Sequence, residues 1–154
     1  MKNISFFSLL VFLLTSFISF SQTNYSGFFL VNEKNEGIPL RELEKEEMVY
    51  VDSTAVIHLS EIEEMETVIS QYQDDYLLRF QLNDLGTIKL QQISNNISIP
   101  AQRIALVLDN VILSNAYLNS EIPNGEFSLS GFDLMKANAV LNLIKKQKAK
   151  IIKN

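Results

Sequence analysis

The side chains of this sequence best suited to chemistry are carboxylates. Glu61, Glu63, Glu64 and Glu66, followed by Asp74 and Asp75, form its dense acidic sets. A Ca²⁺ site needs six to eight oxygens converging on one ion, usually from a tight loop containing Gly. The spacing instead places the glutamates on a short helix and the aspartates in a turn, with no Asp-x-Asp-x-Asp-Gly pattern. A solvated acidic face is the expected result. Carboxylates paired for acid–base work need a cleft around them, and nothing in the sequence marks one. His58, the single histidine, lies between Ala55-Val56-Ile57 and Ser60 and reads as a strand-end residue, not a ligand or base. There is no Cys, which removes thiolate metal sites and Cys nucleophiles, and one His leaves no ordinary Ser-His-Asp machinery. Asp109 ends an apolar strand, but turn chemistry accounts for it. No catalytic residue, metal ligand or cofactor is expected, and no enzymatic activity.

The elements that position these residues belong to a chain of 154 residues, 47% hydrophobic and 20% charged, which suits one domain and excludes strongly disordered classes. Its first 21 residues have the layout of a secretory signal. Lys2 precedes an uncharged, Phe- and Leu-rich stretch, Ile4 to Phe20, and Ser19 and Ser21 put small residues at −3 and −1. Cleavage is expected before Gln22. An uncleaved segment would tether the protein, but no charged stop-transfer cluster follows. With no Cys there is no lipid-acceptor residue either. The expected location is the periplasm of a bacterial envelope, with secretion as a further outcome.

Charge is unevenly distributed. Between Glu33 and Asp75 there are 13 acidic residues against Lys34, Arg41 and Lys45, whereas Leu134 to Asn154 holds six Lys and no acid. The net charge of −5 argues against a nucleic-acid partner. Lys145, Lys146, Lys148, Lys150 and Lys153 suit either a solvated helix end, favoured by the helix dipole, or contact with anionic headgroups.

Residues 22–47 read as a leader segment, with a short strand near Phe28 to Val31 and a turn at Gly37-Ile38-Pro39. Met48 to Val51 and Ala55 to Ile57 are β-rich pieces. Ser60 is placed to cap a one-turn helix over Glu61 to Met65, with Glu63 at the capping-box position. Thr67 to Tyr72 alternates weakly, and Asp74-Asp75 makes a turn. Tyr76, Leu78, Phe80 and Leu82 then share one face of a half-buried strand. Asn83 or Asp84 caps a helix to about Asn95, with Leu85, Ile88 and Ile93 on its core side, helped by Leu90, and with Gly86 serving packing or capping. Ile104 to Leu108 is a continuous apolar run, expected as a central strand buried on both sides. Asp109-Asn110 is a two-residue turn returning through Val111 to Leu113. After a loop over Glu121 to Gly125, Phe127 and Leu129 alternate in a strand. Asp133 caps a last helix with Leu134, Ala137, Leu141 and Ile144 on one face. Tyr50, Tyr72, Tyr76, Phe80, Phe127 and Phe132 read as core, and Tyr117 as partly exposed. Two helices and five or six strands joined by hairpins give an α+β fold, a mainly antiparallel sheet with both helices packed on one face.

The run Arg103-Ile-Ala-Leu-Val-Leu-Asp-Asn110, then Val111 to Ser114, Ile122-Pro-Asn-Gly125, Phe127-Ser-Leu-Ser-Gly131-Phe132 and Ala137 to Leu141, resembles the head part of the first periplasmic domain of SecD, the protein-export membrane protein. That family shows the same hairpin, Gly-containing loop and helix opening in this order. Asn110 stands where the family has Gly, which is tolerable because Asn accepts positive φ, and Ala116 stands where it tends to have Pro. The transmembrane helices that carry proton-coupled work in SecD have no counterpart in the sequence, so the resemblance implies a detached, exported head-like module. It divides the chain into a signal peptide (1–21), a leader (22–47), a SecD-head-like domain (48–148) and a basic tail (149–154).

The resemblance implies contact with polypeptide or another envelope protein, through a groove or sheet edge near the Asp109–Asn110 hairpin and the Ser120–Gly125 loop. Asn110, Asn115, Tyr117, Asn119 and Asn124 are the residues expected there. The alternative is a metal- or small-ligand-binding periplasmic protein using the acidic 61–75 region. Membrane contact is expected only through the N-terminal segment or the Lys-rich C-terminus.

Overall fold

The structure, a computed structural model, describes residues 24–43, 45, 47–71, 75–95 and 101–152. The expected signal peptide and its cleavage site, Tyr72, Asp74 and the last two residues of the basic tail lie outside the described residues. The elements are β1 (Gly27–Leu30), β2 (Ile38–Glu42), β3 (Met48–Val51), a 3-10 turn (Leu59–Glu61), β4 (Ile62–Ile69), β5 (Tyr76–Leu82), α1 (Asp84–Asn95), β6 (Arg103–Leu108), β7 (Val111–Tyr117), β8 (Glu126–Phe132) and α2 (Leu134–Ile152). The α+β class and the antiparallel dominance are as expected. The strands, eight among the described residues, divide between two sheets.

The larger sheet has the order β1-β6-β7-β2-β3, antiparallel except where β2 runs parallel to β7. It curls until its outer strands meet. Val31 bridges Val51, the Asn32 N–H donates to the Tyr50 carbonyl at 2.8 Å, and the Asp52 N–H donates to the Leu30 carbonyl at 3.0 Å. The result is a small closed barrel, which satisfies strand edges that an open sheet would leave bare. Its interior is filled by Phe29, Val31, Leu40, Val49, Val51, Ala105, Val107 and Ile112. A ring of five strands is narrow, and five of these eight side chains are Val or Ala. The stretch 22–47, read from sequence as a leader, contributes β1 and β2 to this barrel.

The second sheet, β4-β5-β8, is antiparallel. One face joins the outside of the barrel and both helices in the larger core, which includes Phe28, Leu78, Phe80, Leu106, Leu129 and Ile144. Phe28 meets Phe80 and Phe127 edge-on at 5.4 and 5.2 Å, while those two rings stack on each other. Strand β6 explains its own composition. Ile104, Leu106 and Leu108 enter the larger core and Ala105 and Val107 the barrel, so an unbroken apolar run is buried on both faces.

Three expectations are corrected. The helix over Glu61 to Met65 is strand β4 from Ile62 onward, pairing Ile62 with Leu82, Met65 with Phe80 and Glu66 with Arg79. Burying Ile62 and completing the ladder of β5 outweighs the capping signal of Ser60 and Glu63, and charged side chains suit an edge strand. The cap forms earlier: the His58 N–H donates to the Glu61 carboxylate and the Glu61 N–H to the His58 carbonyl, each at 2.9 Å. In α1 the core face is Gly86, Leu90 and Ser94, leaving Leu85 and Ile88 exposed. Gly86 sets this rotation. A Cβ there would stand 3.1 Å from the Cβ atoms of Glu61 and Leu82, so the helix approaches closely on that side. In α2 the buried residues are Ala137, Val140 and Ile144, with Leu141 partly buried and Leu134 exposed at the first turn.

Candidate functional site

The β6–β7 hairpin turns through Asp109 and Asn110 at φ of 48° and 67°. Asp and Asn tolerate this left-handed backbone, and its twist suits a two-residue hairpin. The tip is covered from within. The Tyr25 N–H donates to Asn110 Oδ1 at 2.7 Å and the Asn110 N–H returns to the Tyr25 carbonyl at 3.1 Å. The Asp109 carboxylate accepts from Asn24 Nδ2 at 2.7 Å and from Gln147 Nε2 of α2, and its N–H donates to Ser26 Oγ at 3.0 Å. Asn110 therefore engages its N–H and its Oδ1 inside the molecule.

Further along β7 the situation reverses. Strand β2 pairs with β7 only at Val111 and Ile112, and the Leu43 N–H ends that ladder on the Ile112 carbonyl at 3.0 Å. From Leu113 to Tyr117 no described strand is paired with β7 on the side away from β6. The direction of its free groups follows from register. The Leu118 N–H donates to the Gln102 carbonyl at 2.8 Å, in line with the pairs Ala116–Ile104 and Ser114–Leu106. Hydrogen-bonded and non-bonded pairs alternate along an antiparallel ladder. Ser114 and Ala116 thus bond to β6, and Asn115 and Tyr117 turn their N–H and C=O groups outward. Two of the five residues named from sequence present the free edge of this strand.

Tyr117 is 59% exposed. The Arg103 guanidinium lies 5.8 Å from its ring centroid, and Glu33 holds that guanidinium at 2.7 and 3.1 Å. The hydrogen bond to Glu33, more than any other contact, raises the Arg103 pKa above its ordinary value. Beside the edge, Leu113, Ser114 and Asn115 face Ser130, Gly131 and Phe132 of β8 across a cleft of about 190 Å³. Buried Glu42, paired with Lys45 at 3.2 Å, lies at its rim.

Asn119 is exposed, while Asn124 holds its loop in place: its carbonyl accepts from Gln81 Nε2 at 3.1 Å and its Oδ1 accepts the Glu126 N–H at 3.2 Å. Gly125 at φ 70° lets the same loop lie against Thr87, whose side chain a Cβ there would strike. The five residues do not converge on one spot. Asn110 and Tyr117 sit at opposite ends of a strand rising about 3.4 Å per residue, and Asn115 and Tyr117 form the usable pair.

The acidic region is dispersed as well. Glu61 is buried and bound to Lys89 of α1, whereas Glu63, Glu64, Glu66 and Glu126 line an open groove of about 600 Å³ with Arg79 and Lys145. Among the described residues no three His, Asp or Glu side chains are placed to hold a metal ion. Sequence reasoning missed Glu33, Arg103 and the buried Glu42. The sole available signal was Arg103 opening an apolar strand, which does not indicate a partner 70 residues away.

The comparisons agree with this geometry. Residues 35–147 match the family model described as SecDF, P1 head subdomain. The chain is 26% identical over 100 residues to the protein translocase subunit SecD of Streptomyces coelicolor, covering 62% of this chain and 18% of that one. It resembles a SecDF chain solved in a super-membrane-facing form, with a TM-score of 0.57 at 15% identity over 77% of this chain and 18% of that one. It also resembles a SecDF structure described as a membrane component that enhances protein export, with a TM-score of 0.56 at 14% identity over 79% of this chain and 62% of that one. The chain therefore spans about a fifth of the SecD subunit it matches. Among the described residues no helix is long and apolar enough to cross a membrane. The barrel-and-sheet body with its β6–β7 hairpin belongs to the SecDF P1 head subdomain family.

Proposed function

We propose that this protein is an export-related envelope module that holds extended polypeptide by strand addition along β7. The observation that carries the reading is the outward-facing backbone of Asn115 and Tyr117 on an edge that β2 leaves unpaired beyond Ile112. A strand laid there gains main-chain hydrogen bonds whatever its sequence, which suits clients that share only an unfolded state. The relation to SecD supports a protein-export setting, and the signal-like layout of residues 1–21 supports delivery across a membrane with cleavage before Gln22. Binding of this kind requires no catalytic side chain.

The test is fluorescence anisotropy of a labelled, reduced and alkylated polypeptide that cannot fold. Asn115→Pro and Tyr117→Pro each remove one outward N–H while leaving the ladder to β6 intact. Each is expected to weaken binding about threefold to tenfold, with Asn119→Ala unchanged and circular dichroism confirming the fold. Unaltered affinity in both proline variants would overturn the proposal.

A further inference from the structure

We infer that two copies of this chain cover each other's β7 edge, paired antiparallel about a two-fold axis at Ala116. The pairing follows from ladder phase. Asn115 and Tyr117 turn their N–H and C=O groups away from β6, and Ala116 between them bonds to β6 opposite Ile104. An axis through Ala116 sets Asn115 of each copy opposite Tyr117 of the other. Both of these pairs then exchange N–H···O=C bonds in each direction, and every outward group of the two residues is satisfied. A register two residues away in either direction would leave only Asn115 facing Asn115, or only Tyr117 facing Tyr117.

The side chains permit the approach. Ala116 falls on the axis, where facing Cα atoms of a non-hydrogen-bonded pair stand about 4.5 Å apart, and its side chain is the smallest in the strand. Leu113 to Tyr117 carries no charge, so no like charges meet along the seam. Arg103, the cation beside Tyr117, is held by Glu33 at 2.7 and 3.1 Å. Strand β7 ends at Tyr117, so the second copy's chain need not run on toward Ile112, where β2 occupies the edge. The edge strand β4 offers no such match, because Glu63, Glu64 and Glu66 would meet their own copies there. Self-pairing over so short a stretch makes a small contact, of the size found in weak, reversible complexes. An added polypeptide strand needs the same backbone groups, so a client and a second copy exclude each other. That consequence rests on the proposed strand addition, whereas the self-pairing does not.

The experiment measures amide exchange residue by residue in the full chain at about 10 μM and about 1 mM protein. Exchange slowed about fivefold at Asn115 and Tyr117 at the higher concentration, with Ser114 and Ala116 unchanged, is the expected result. Ala116→Lys sets two ammonium groups against each other on the axis. It is expected to abolish this concentration dependence while still binding the labelled polypeptide. Exchange at Asn115 and Tyr117 that is independent of concentration in the unaltered chain would overturn the inference, even if the chain self-associates through another face. Concentration dependence without any polypeptide binding would uphold the self-pairing and remove the client instead.

Discussion

The barrel and the three-stranded sheet solve the same problem, what to do with strand edges, in opposite ways. The barrel bends its outer strands together at Val31 and Val51 and hides a narrow interior of mostly small side chains. The three-stranded sheet stays open, buries Leu78, Phe80 and Leu129 on one face, and exposes Glu66, Arg79 and Glu126 on the other. Its outer strand β4 carries glutamates that discourage pairing with foreign strands. Closure suits rigidity, and openness with charge suits a solvated flank. The β7 edge follows neither course: it belongs to the closed barrel, yet beyond Ile112 it is not paired by β2, and its own residues Leu113 to Tyr117 carry no charge, although Glu42 and Lys45 flank the adjoining cleft. An unpaired, uncharged stretch of strand beside a cleft supports a binding role for it.

The contrast can be broken most forcefully at the ring cluster joining the two regions. Phe80 is fully buried against Phe28 of β1 and Phe127 of β8. Phe80→Ala is expected to cost about 3–5 kcal/mol in urea unfolding, still in one transition because Phe28 ties the barrel to the sheet. Two separated transitions would show that the regions fold independently. A smaller effect is expected at the barrel's tip. Asn110→Ala forces a Cβ-bearing residue without a polar side chain to φ 67° and removes the acceptor of the Tyr25 N–H, for about 1–2 kcal/mol. Asn110→Gly removes the acceptor alone and is expected to lose less in the same melt. The smallest effect belongs to the open face. Arg79 bridges Glu66 at 3.1 Å and Glu126 at 3.5 Å with all three side chains substantially exposed, so Arg79→Ala is expected to change stability by less than about 1 kcal/mol, and less still in high salt.

What could be read from sequence follows the range of the interactions. Strand β5 was legible to its end residues because Tyr76 to Leu82 alternates within seven positions. The β6–β7 turn was legible because Asp-Asn carries its own backbone preference. The barrel was not, because its closure rests on a four-residue strand near the N-terminus pairing with β6 and bridging β3, and no local window contains those partners. The core face of α1 was misread for a different reason. Apolar periodicity counts Leu85 and Ile88, whereas the contact is made by Gly86, which has no side chain to count. The same limit applies to the candidate site. Asn115 and Tyr117 were named for their place beyond the hairpin, but that their amides turn outward follows from ladder phase, fixed by the Leu118–Gln102 bond. Asn110 was named on the same grounds, and its partner Tyr25 lies 85 positions away.

The pairing of β1 with β6 also sets a timetable. Gly27 lies opposite Val107, so the apolar segment Gly27–Leu30 emerges 80 residues before its ladder partner exists. At about 5–20 residues per second, it waits roughly 4–16 seconds with Phe28 and Phe29 uncovered. During that interval the nascent chain cannot seal either core, which leaves it dependent on whatever shields those two phenylalanines until the ring can shut.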